Sequence, residues 1–356
     1  MSVVPAKDGR PTLATVATAA GVSIATVSKV LNGRSDVAPA TREHVRTILE
    51  KYDYVGRGAD PVRRAVPVVR PTVELVYAGR LNAYSAEVLQ GVLDAAAELD
   101  VALVVSLRTP GQRRSERGHP AAWASELAAA GRRAVITVVD ELSSFDLAAL
   151  ARARLPLVVI DPVHVPNGEV TSVGSTNFTG GLAATRHLLD LGHRRIAYLG
   201  GPVTSACNQA RLQGYRAALE AAGVPGPAEY VRSGTFLREE GLIQGGALLD
   251  LPEPPTAVFA GSDETAAGVL EAARERGLRI PEDLSVVGFD DTEVARLSSP
   301  ALTTIRQPLG DMGKVALRTA LRLADGEEID SHHVELATEL VVRQSTGPVP
   351  LAPPGD

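Results

Sequence analysis

The pattern of apolar positions near the N-terminus predicts two short helices separated by a tight turn. Apolar side chains recur at helical spacing at Leu13, Val16, Ala17 and Ala20. Gly21 interrupts this pattern, and Ser23 is a favourable cap for a second helix over residues 24–31, with Val27 and Val30 on its inner face. Such a pair is either a helix-turn-helix, whose second helix enters a DNA major groove, or an ordinary helical hairpin. Spacing alone leaves both interpretations open.

A third helix is predicted over residues 41–52, because apolar residues fall on one of its faces at Val45, Ile48, Leu49 and Tyr52. This helix would complete a three-helix core, so we expect residues 11–54 to form a small N-terminal domain. Residues 1–10 are expected to form a flexible arm. The Gly, Pro and Arg residues of the segment 55–71 indicate a hinge or linker.

From residue 72 the pattern changes to short apolar runs that alternate with helix-length segments. A first series of strand-like runs covers residues 73–77, 102–107, 134–139 and 157–160, and a second covers 196–199, 257–260 and 284–289. This alternation is typical of parallel sheets and predicts a doubly wound α/β architecture. Two series that divide near residue 167 indicate two lobes, with a ligand cleft at the carboxyl ends of their strands.

Charge and composition narrow the class of protein. The chain has 356 residues and a net charge of −6, yet its first 64 residues carry ten Lys or Arg against six Asp or Glu. A basic N-terminal module favours contact with phosphates at that end. No apolar run reaches the roughly 18 residues of a membrane span, and the start of the chain lacks the apolar segment of a signal peptide. We therefore expect a cytoplasmic protein without membrane contact, and the single cysteine, Cys207, excludes an internal disulfide framework.

The residues from Ala17 to Gly33, which follow the pattern AxxAGVSxxTVSxVLNG, resemble the DNA-binding headpiece of the lac repressor (LacI/GalR) family of bacterial transcription regulators. Five later stretches resemble the regulatory core of that family: HLLDLGHRRIAYLGGP, ARLQGYRAAL, GSDETAAGVLEAA, SVVGFDDTE and LTTIRQPLGDMG. The similarity covers about residues 12–345. Because this core is related to periplasmic sugar-binding proteins, the headpiece is the part that indicates a regulator.

The resemblance also implies a domain layout. Residues 72–345 would form an effector-binding and dimerisation core in which the chain crosses three times between lobes. The first lobe would comprise about 72–166 and 304–326, and the second about 167–303 and 327–345. A disordered tail would follow at 346–356. This tail contains Pro and Gly but no heptad pattern, so a homodimer is favoured over a tetramer.

DNA contacts are implied for the second helix and the residues around it. Lys29 is the candidate for a guanine edge, since lysine can donate to O6 and N7, while Ile24 and Ala25 could meet thymine methyl groups. Arg34 and Thr41 are placed to reach phosphates. The full set of candidate DNA-binding residues is Thr15, Ile24, Ala25, Thr26, Ser28, Lys29, Asn32, Arg34, Thr41 and Arg57.

The hinge segment departs from the family pattern. In the family this segment forms a short helix on DNA, and a leucine from it enters the minor groove. Here Gly56, Gly58 and Pro61 disfavour a regular helix, and no leucine stands at the expected place. Arg57 could instead enter a narrow minor groove.

Candidate ligand contacts follow the predicted strands. A sugar requires forked polar contacts to its hydroxyl groups and an aromatic face against its ring. Arg211 stands at the family's ligand-binding arginine, Asp290 at an aspartate of similar use, and Phe236 at an aromatic position that stacks on ligand in sugar-responsive members. Ser262 stands where the family more often has asparagine, so that contact is expected to differ. The candidate ligand-binding residues are Asn82, Tyr84, Asp161, Arg211, Phe236, Ser262, Asp263 and Asp290.

We therefore expect a sequence-specific transcriptional regulator, namely a homodimeric repressor on a pseudo-palindromic operator of double-stranded DNA. A small sugar-type effector in the cleft would control it. Two alternatives with the same fold remain open, namely a purine- or nucleoside-responsive regulator and a regulator controlled by a protein partner. An α/β enzyme is the alternative from a different class, but no catalytic motif, metal site or cofactor is predicted. His193 is interpreted as a structural residue at a helix terminus, and His332 and His333 lack a third metal ligand nearby.

Overall fold

The structure is a computed structural model that describes residues 11–32, 34, 36–52, 54, 70–79, 81–108, 120–139, 142–164 and 170–349. The chain divides into two compact units, residues 1–69 and residues 70–356. The predicted arm at 1–10, most of the hinge and the end of the tail at 350–356 lie outside the described residues.

The N-terminal unit, here called the headpiece, contains three helices: α1 (Leu13–Ala20), α2 (Ile24–Leu31) and α3 (Pro39–Lys51). Gly21 has the left-handed conformation (φ 65°) that ends α1. Val16, Val27 and Val45, one from each helix, are completely buried and form the centre of the headpiece core. The helices predicted over 24–31 and around 13–20 are confirmed. Helix α3 begins at Pro39, two residues before the predicted start, because proline suits the first turn of a helix.

In its described residues, the core unit contains two six-stranded sheets. The first sheet consists of β1 (Thr72–Ala78), β2 (Ala102–Arg108), β3 (Arg132–Val138), β4 (Leu157–Ile160), β5 (Thr171–Ser175) and β11 (His333–Leu336). Their spatial order is β2-β1-β3-β4-β5-β11, and every pair of neighbours is parallel.

The second sheet consists of β6 (Ile196–Gly200), β7 (Val231–Ser233), β8 (Ala257–Ala260), β9 (Ser285–Asp290), β10 (Thr303–Arg306) and β12 (Glu339–Val341). Their order is β7-β6-β8-β9-β10-β12, in which β12 runs antiparallel to β10 and the other pairs are parallel. The predicted two-lobed, doubly wound architecture is confirmed. Strands β5, β7, β10, β11 and β12 were not predicted, because they are three to five residues long and lack a continuous apolar run.

Helices cover the faces of both sheets. They are α4 (Ala83–Glu98), α5 (Pro120–Ala129), α6 (Ser144–Arg152), α7 (Asn177–Asp190), α8 (Ala206–Ala221), α9 (Arg238–Leu249), α10 (Asp263–Glu275), α11 (Glu293–Leu297) and α12 (Leu309–Ala324). Helices α7 and α8 pack so closely that a Cβ added at Gly214 would overlap the carbonyl oxygen of Phe178. Within the described residues no single helix is long and apolar enough to cross a membrane. Among these residues, only the pair α1 and α2 reaches the required length and apolar composition together, and this pair is bent by 105°.

The chain crosses between the sheets three times, as expected, but the predicted lobe boundaries are wrong by several residues. Strand β5 (Thr171–Ser175) belongs to the first sheet, although the second lobe was predicted to begin at about residue 167. Strand β10 (Thr303–Arg306) still belongs to the second sheet, so the return begins after it rather than at residue 304. Strand β11 (His333–Leu336) is paired with β5, so the last crossing follows residue 336 rather than residue 326. Periodicity could not show these boundaries, since strand pairing decides which sheet a strand joins.

The disordered tail was predicted to start at residue 346, but residues 346–349 are bound to the second lobe. The backbone N–H of Val349 donates to Leu191 O at 3.0 Å. The carbonyl oxygen of Gly347 lies 3.1 Å from Nε2 of the completely buried His193, whose other ring nitrogen is 2.9 Å from Thr256 Oγ1. Burial lowers the pKa of His193, so a neutral imidazole bonded to neighbouring polar groups supports the structural interpretation of this histidine.

Candidate functional site

Helix α2 presents a polar and partly apolar surface to solvent on one side and packs into the headpiece on the other. Ile24 is 51% exposed, and Ala25, Lys29 and Asn32 are also exposed. Ser23 Oγ accepts a hydrogen bond from Thr26 N at 3.1 Å and so caps the start of the helix. An exposed, capped helix that follows a tight turn has the geometry of a recognition helix, whose N-terminal residues contact base edges.

The remaining predicted DNA-binding residues lie near this helix or outside the described part of the chain. Thr15 is exposed and forms the capping box of α1 with Thr12. Ser28 is half-buried on α2, Arg34 is exposed, and Thr41 is half-buried near the start of α3. Arg57 lies outside the described residues.

The loop between α2 and α3 is held by charged and polar contacts. Lys29 Nζ lies 2.8 Å from Asp36 Oδ2. Arg42 on α3 donates to the carbonyl oxygens of Arg34 and Val37 at 2.9 and 3.2 Å. These contacts connect Arg34, Asp36 and Val37 to α2 and α3.

Four predicted ligand-binding side chains come together between the lobes of the core. Tyr84 lies on α4 and Asp161 directly follows β4, whereas Arg211 lies on α8 and Asp290 ends β9. The Tyr84 hydroxyl donates to Asp161 Oδ2 at 2.5 Å within the first lobe, and Arg211 Nη1 lies 4.0 Å from Asp290 Oδ1 in the second. The side chains of Asp161, Arg211 and Asp290 are all buried. We call this group the cleft cluster.

Arg211 is held by two hydrogen bonds and by aromatic rings beside its guanidinium. Nε donates to Asn177 Oδ1 at 2.8 Å, and Nη1 donates to the carbonyl oxygen of Gly261 at 2.6 Å. The guanidinium carbon lies 3.7 Å from the ring centroid of Phe289 and 5.4 Å from that of Phe236. These contacts hold the planar group in one orientation, as a forked hydrogen bond to a ligand requires.

Burial dominates the electrostatics of the cleft cluster. It raises the pKa of Asp290 well above its usual range, although the Arg211 guanidinium acts in the opposite direction. Burial also raises the pKa of Asp161, while the Tyr84 hydrogen bond and Arg211 lower it. Burial, and secondarily the Asp161 carboxylate, raise the pKa of the Tyr84 phenol. The phenol is therefore a neutral donor in this site.

Asp290 and Arg211 are both connected to the segments that cross between the lobes. Gln307, which follows β10, donates through Nε2 to Asp290 Oδ1 at 2.6 Å and accepts a hydrogen bond from Ser175 Oγ at 2.5 Å. Ser175 ends β5, and Asn177, the acceptor for Arg211, begins α7 just beyond it. The cleft cluster is therefore bonded directly to two of the three crossings.

Phe236 lies over the glycines that directly follow β6 and β8. A Cβ at Gly201 would overlap its ring, and one at Gly261 would come within 3.0 Å of it. The Phe236 backbone has φ 67°, and Asp161 and Asp290 also have positive φ values of 46° and 117°. Non-glycine residues in the left-handed region are uncommon and occur often at functional sites.

Two predicted ligand-binding residues support the site from inside the second lobe. Ser262 is buried and donates to the Phe236 carbonyl oxygen at 2.8 Å while it caps α10. Asp263 is completely buried, with Oδ2 bonded to Thr292 N at 2.7 Å and Oδ1 bonded to Thr304 Oγ1 at 2.6 Å. Since both oxygens have partners in the interior, the structure does not bring Asp263 to the cleft surface.

Asn82 has a structural contact at the start of α4. Its Oδ1 accepts a hydrogen bond from Ser85 N at 3.0 Å and so caps the helix. Cys207 is partly buried next to the cleft cluster, and burial raises the pKa of its thiol. A polar cavity of about 300 Å³ extends from Asp290 and Leu309 toward Glu87 and Arg296.

Sequence reasoning missed the residues that orient the cleft cluster. Asn177 and Gln307 bond to Arg211 and Asp290, and Asn208 Oδ1 accepts from Gly201 N at 2.9 Å and so shapes the loop under Phe236. Gln307 and Asn208 are polar residues next to predicted strands or helices, as are many residues of the chain. Their partners could not be identified from spacing, because the folds of the loops and of the crossing segments decide which residues these side chains meet.

A helix-turn-helix headpiece joined to a two-lobed core with a polar cleft defines a DNA-binding regulator with a ligand-binding domain. Residues 12–56 match the model of bacterial regulatory proteins, lacI family, and residues 185–346 match the periplasmic binding protein-like domain. The chain is 35% identical to the HTH-type transcriptional regulator CelR of Thermobifida fusca, over 94% of this chain and 98% of CelR. This chain belongs to the lacI family of bacterial regulatory proteins.

Two solved structures are similar along almost the whole chain. The complex of the transcriptional regulator CelR with cellobiose has a TM-score of 0.69 and 34% identity, and covers 94% of this chain and all of the other. The lac repressor dimer bound to operator and the anti-inducer ONPF has a TM-score of 0.69 and 27% identity, over 95% and 99% of the two chains. The predicted family, the two-part fold and the function in transcription regulation are thereby confirmed, and the family is one of regulators rather than enzymes.

Proposed function

We propose that the protein is a homodimeric repressor whose operator binding is controlled by an uncharged sugar bound in the cleft between the lobes. The observation that carries this proposal is the cleft cluster itself. Tyr84, Asp161, Arg211 and Asp290 supply convergent donors and acceptors, and Phe236 supplies an aromatic face beside them. This combination of polar groups and an aromatic face suits a ring with several hydroxyl groups.

The charges of the cleft favour an uncharged ligand. The Arg211 guanidinium already has hydrogen-bond partners, and the carboxyl groups of Asp161 and Asp290 lie near it. A phosphorylated sugar or another anion at this group would have to compete with Asn177, with Gly261 and with the two carboxyl groups for Arg211. The complex of CelR with cellobiose, a structure similar to this chain, supports a sugar as the ligand.

Ligand contact at the cleft cluster would act on the crossings between the lobes. A sugar hydroxyl that binds Arg211 or Asp290 competes with Asn177 or Gln307, which belong to two crossing segments. A change in these bonds alters the relative stability of two lobe arrangements, and a ligand shifts their populations by its difference in affinity for the two. The change would reach the headpiece through the segment that joins the two units.

Operator recognition requires two headpieces, because one recognition helix contacts few base pairs. The exposed face of the edge strand β2, at Val105 and Leu107, together with Leu93 of α4, provides apolar area for pairing of two core units. The lac repressor dimer on operator, which this chain resembles along 95% of its length, supports this arrangement. A location in the cytoplasm, where chromosomal DNA is accessible, follows from this function.

A thermal-shift screen of the full chain against mono- and oligosaccharides, sugar phosphates, nucleobases and nucleosides tests the proposal. A ligand that binds only the folded state raises the melting temperature. At a concentration of 100 Kd it stabilises the folded state by about 2.7 kcal/mol. We expect uncharged sugars to give the shift, and Asp290→Asn and Arg211→Lys to remove it. The matched control pair is Asp283→Asn and Arg279→Lys, an exposed ion pair on the same lobe.

The response of the DNA complex completes the test. The ligand found in the screen is titrated into a complex of the protein with a duplex enriched from a randomised library, and we expect release of the DNA. A nucleoside hit would replace the sugar in the proposal. If no compound gives a shift at millimolar concentration, control by a small molecule in the cleft is refuted and control by a protein partner becomes the better explanation.

A further inference from the structure

An acidic residue faces the lysine that is expected to read DNA. Lys29 Nζ and Asp36 Oδ2 are 2.8 Å apart, and the two side chains are 49% and 56% exposed. Lys29 lies on the exposed face of α2, and Asp36 lies in the loop that follows the helix. A surface that binds a polyanion thus contains a carboxylate in contact with its central cation.

The position of Asp36 is fixed by the headpiece. Arg42 donates to the carbonyl oxygens of Arg34 and Val37, which lie two residues before and one residue after Asp36. Val37 is buried in the headpiece core and anchors the same loop. The contact with Lys29 lowers the pKa of Asp36, so this residue is a carboxylate at neutral pH.

The geometry of an ammonium group separates two ways in which Lys29 can bind DNA. Lysine has three N–H donors, so it can keep one on Asp36 while the others reach O6 and N7 of a guanine in the major groove. A backbone phosphate bound to the same ammonium, by contrast, is an anion and would be repelled by the nearby Asp36 carboxylate. Phosphate contacts supply most of non-specific affinity, whereas base contacts supply specificity.

We propose that Asp36 is a specificity-determining residue of the headpiece, which holds Lys29 toward base edges and weakens its contact with phosphates of non-operator DNA. This inference rests on the proposed role of the α2 surface. Removal of the carboxylate frees Lys29 for phosphates, so the loss of Asp36 strengthens binding to all DNA but strengthens binding to operator least.

The test compares the full chain with its Asp36→Asn variant on two duplexes of equal length. One duplex is enriched from a randomised library by the unmodified protein, and the other has a random sequence. Fluorescence anisotropy is measured between about 50 and 200 mM KCl, the range in which phosphate contacts dominate the salt dependence. For Asp36→Asn we expect about 3- to 10-fold tighter binding of the random duplex, and a change below about 2-fold for the enriched duplex. The salt slope on the random duplex should steepen by about one phosphate contact per headpiece.

Two controls separate this role from a general change in charge. Glu50→Gln removes one negative charge from an exposed position on α3, and we expect it to change both affinities by the same small factor. In a Lys29→Ala background, Asp36→Asn should have no effect beyond that of Glu50→Gln. An Asp36→Asn variant that behaves like Glu50→Gln, or whose effect persists without Lys29, overturns the inference. If the unmodified protein enriches no duplex at all, the proposed operator recognition itself fails. If it enriches a duplex but Asp36→Asn behaves like Glu50→Gln, only the role of Asp36 fails.

Discussion

Replacement of Arg211 by methionine is expected to destabilise the core unit by about 3 to 5 kcal/mol, the range found when one partner of a buried ion pair is removed. Arg211 is 3% exposed and donates to Asn177 Oδ1 and Gly261 O. Hydrogen bonds from charged groups contribute about 1.5 to 3 kcal/mol each, and the Gly261 carbonyl oxygen would remain buried without this donor. The Asp290 carboxyl group would also lose the cation that lies 4.0 Å away.

This loss corresponds to a decrease in melting temperature of roughly 5 to 15 °C for a unit of this size. The assay is calorimetric unfolding of the full chain at neutral pH. Arg279→Met serves as the control, because Arg279 is an exposed arginine paired with Asp283, and we expect it to change the melting temperature by less than about 2 °C. Arg211→Lys retains the positive charge but not the forked geometry of the guanidinium. Its melting temperature should therefore lie between those of Arg211→Met and Arg279→Met.

A double variant measures the interaction between Arg211 and Asp290. Asp290→Asn removes the carboxyl group that depends on Arg211, so Arg211→Met combined with Asp290→Asn should lose less stability than the sum of the single variants, by about 1 kcal/mol or more. A melting temperature for Arg211→Met within 2 °C of the unmodified protein would refute the argument. That result would mean that water solvates the guanidinium and that the cleft is open in solution.

Three further predictions concern the core unit. Burial raises the pKa of Asp263 to about 7, so the folded state holds a proton that the unfolded state releases near pH 4. The stability that this carboxyl group contributes should therefore fall by up to about 4 kcal/mol as pH rises from 4 to 7. Denaturant titrations of Asp263→Asn, whose amide suits the same threonine partners, should show a weaker fall, and an unchanged pH profile would contradict this. Gly214→Ala should destabilise the core by about 1 to 3 kcal/mol because α7 and α8 must separate, whereas Gly310→Ala, with open space around its Cβ, should be neutral or stabilising; equal effects in thermal melts would refute the packing argument. Cys207 is the only cysteine of the chain, so a saturating cleft ligand should slow its reaction with a thiol reagent at least about tenfold, and an unchanged rate would place the ligand elsewhere.

Short-range patterns in the sequence predicted the elements whose apolar face, ends and caps are formed by residues close together in the chain. Helices α1 and α2 follow from apolar spacing, from Gly21 and from the cap at Ser23, all within twenty residues of each other. The seven strands with continuous apolar runs were predicted within about two residues for the same reason. The headpiece motif also identified the family, because turn, cap and exposed positions occur in one uninterrupted run.

The candidate site was predicted in part. Tyr84, Asp161, Arg211 and Asp290 do come together, since each lies at or near the carboxyl end of a parallel strand or on a helix beside one. Asp263 was also expected at the cleft from its position after β8, yet Thr292 and Thr304 bind it inside the lobe. A position after a strand shows which edge of the sheet a residue is near, but not whether its side chain turns toward solvent or interior.

Local patterns along the chain were enough to predict the headpiece and the repeated strand-and-helix order, because these depend on neighbours within about one or two helical turns. They also showed the residue types available to a ligand. The tertiary structure was needed to show that β5, β10 and β11 extend their lobes beyond the predicted boundaries. It also decided that Gln307 and Asn177 join the cleft cluster to the crossings. These contacts connect residues 34 and 17 positions apart in the sequence, and such pairings arise from sheet order and packing, which no local pattern of polar and apolar positions encodes.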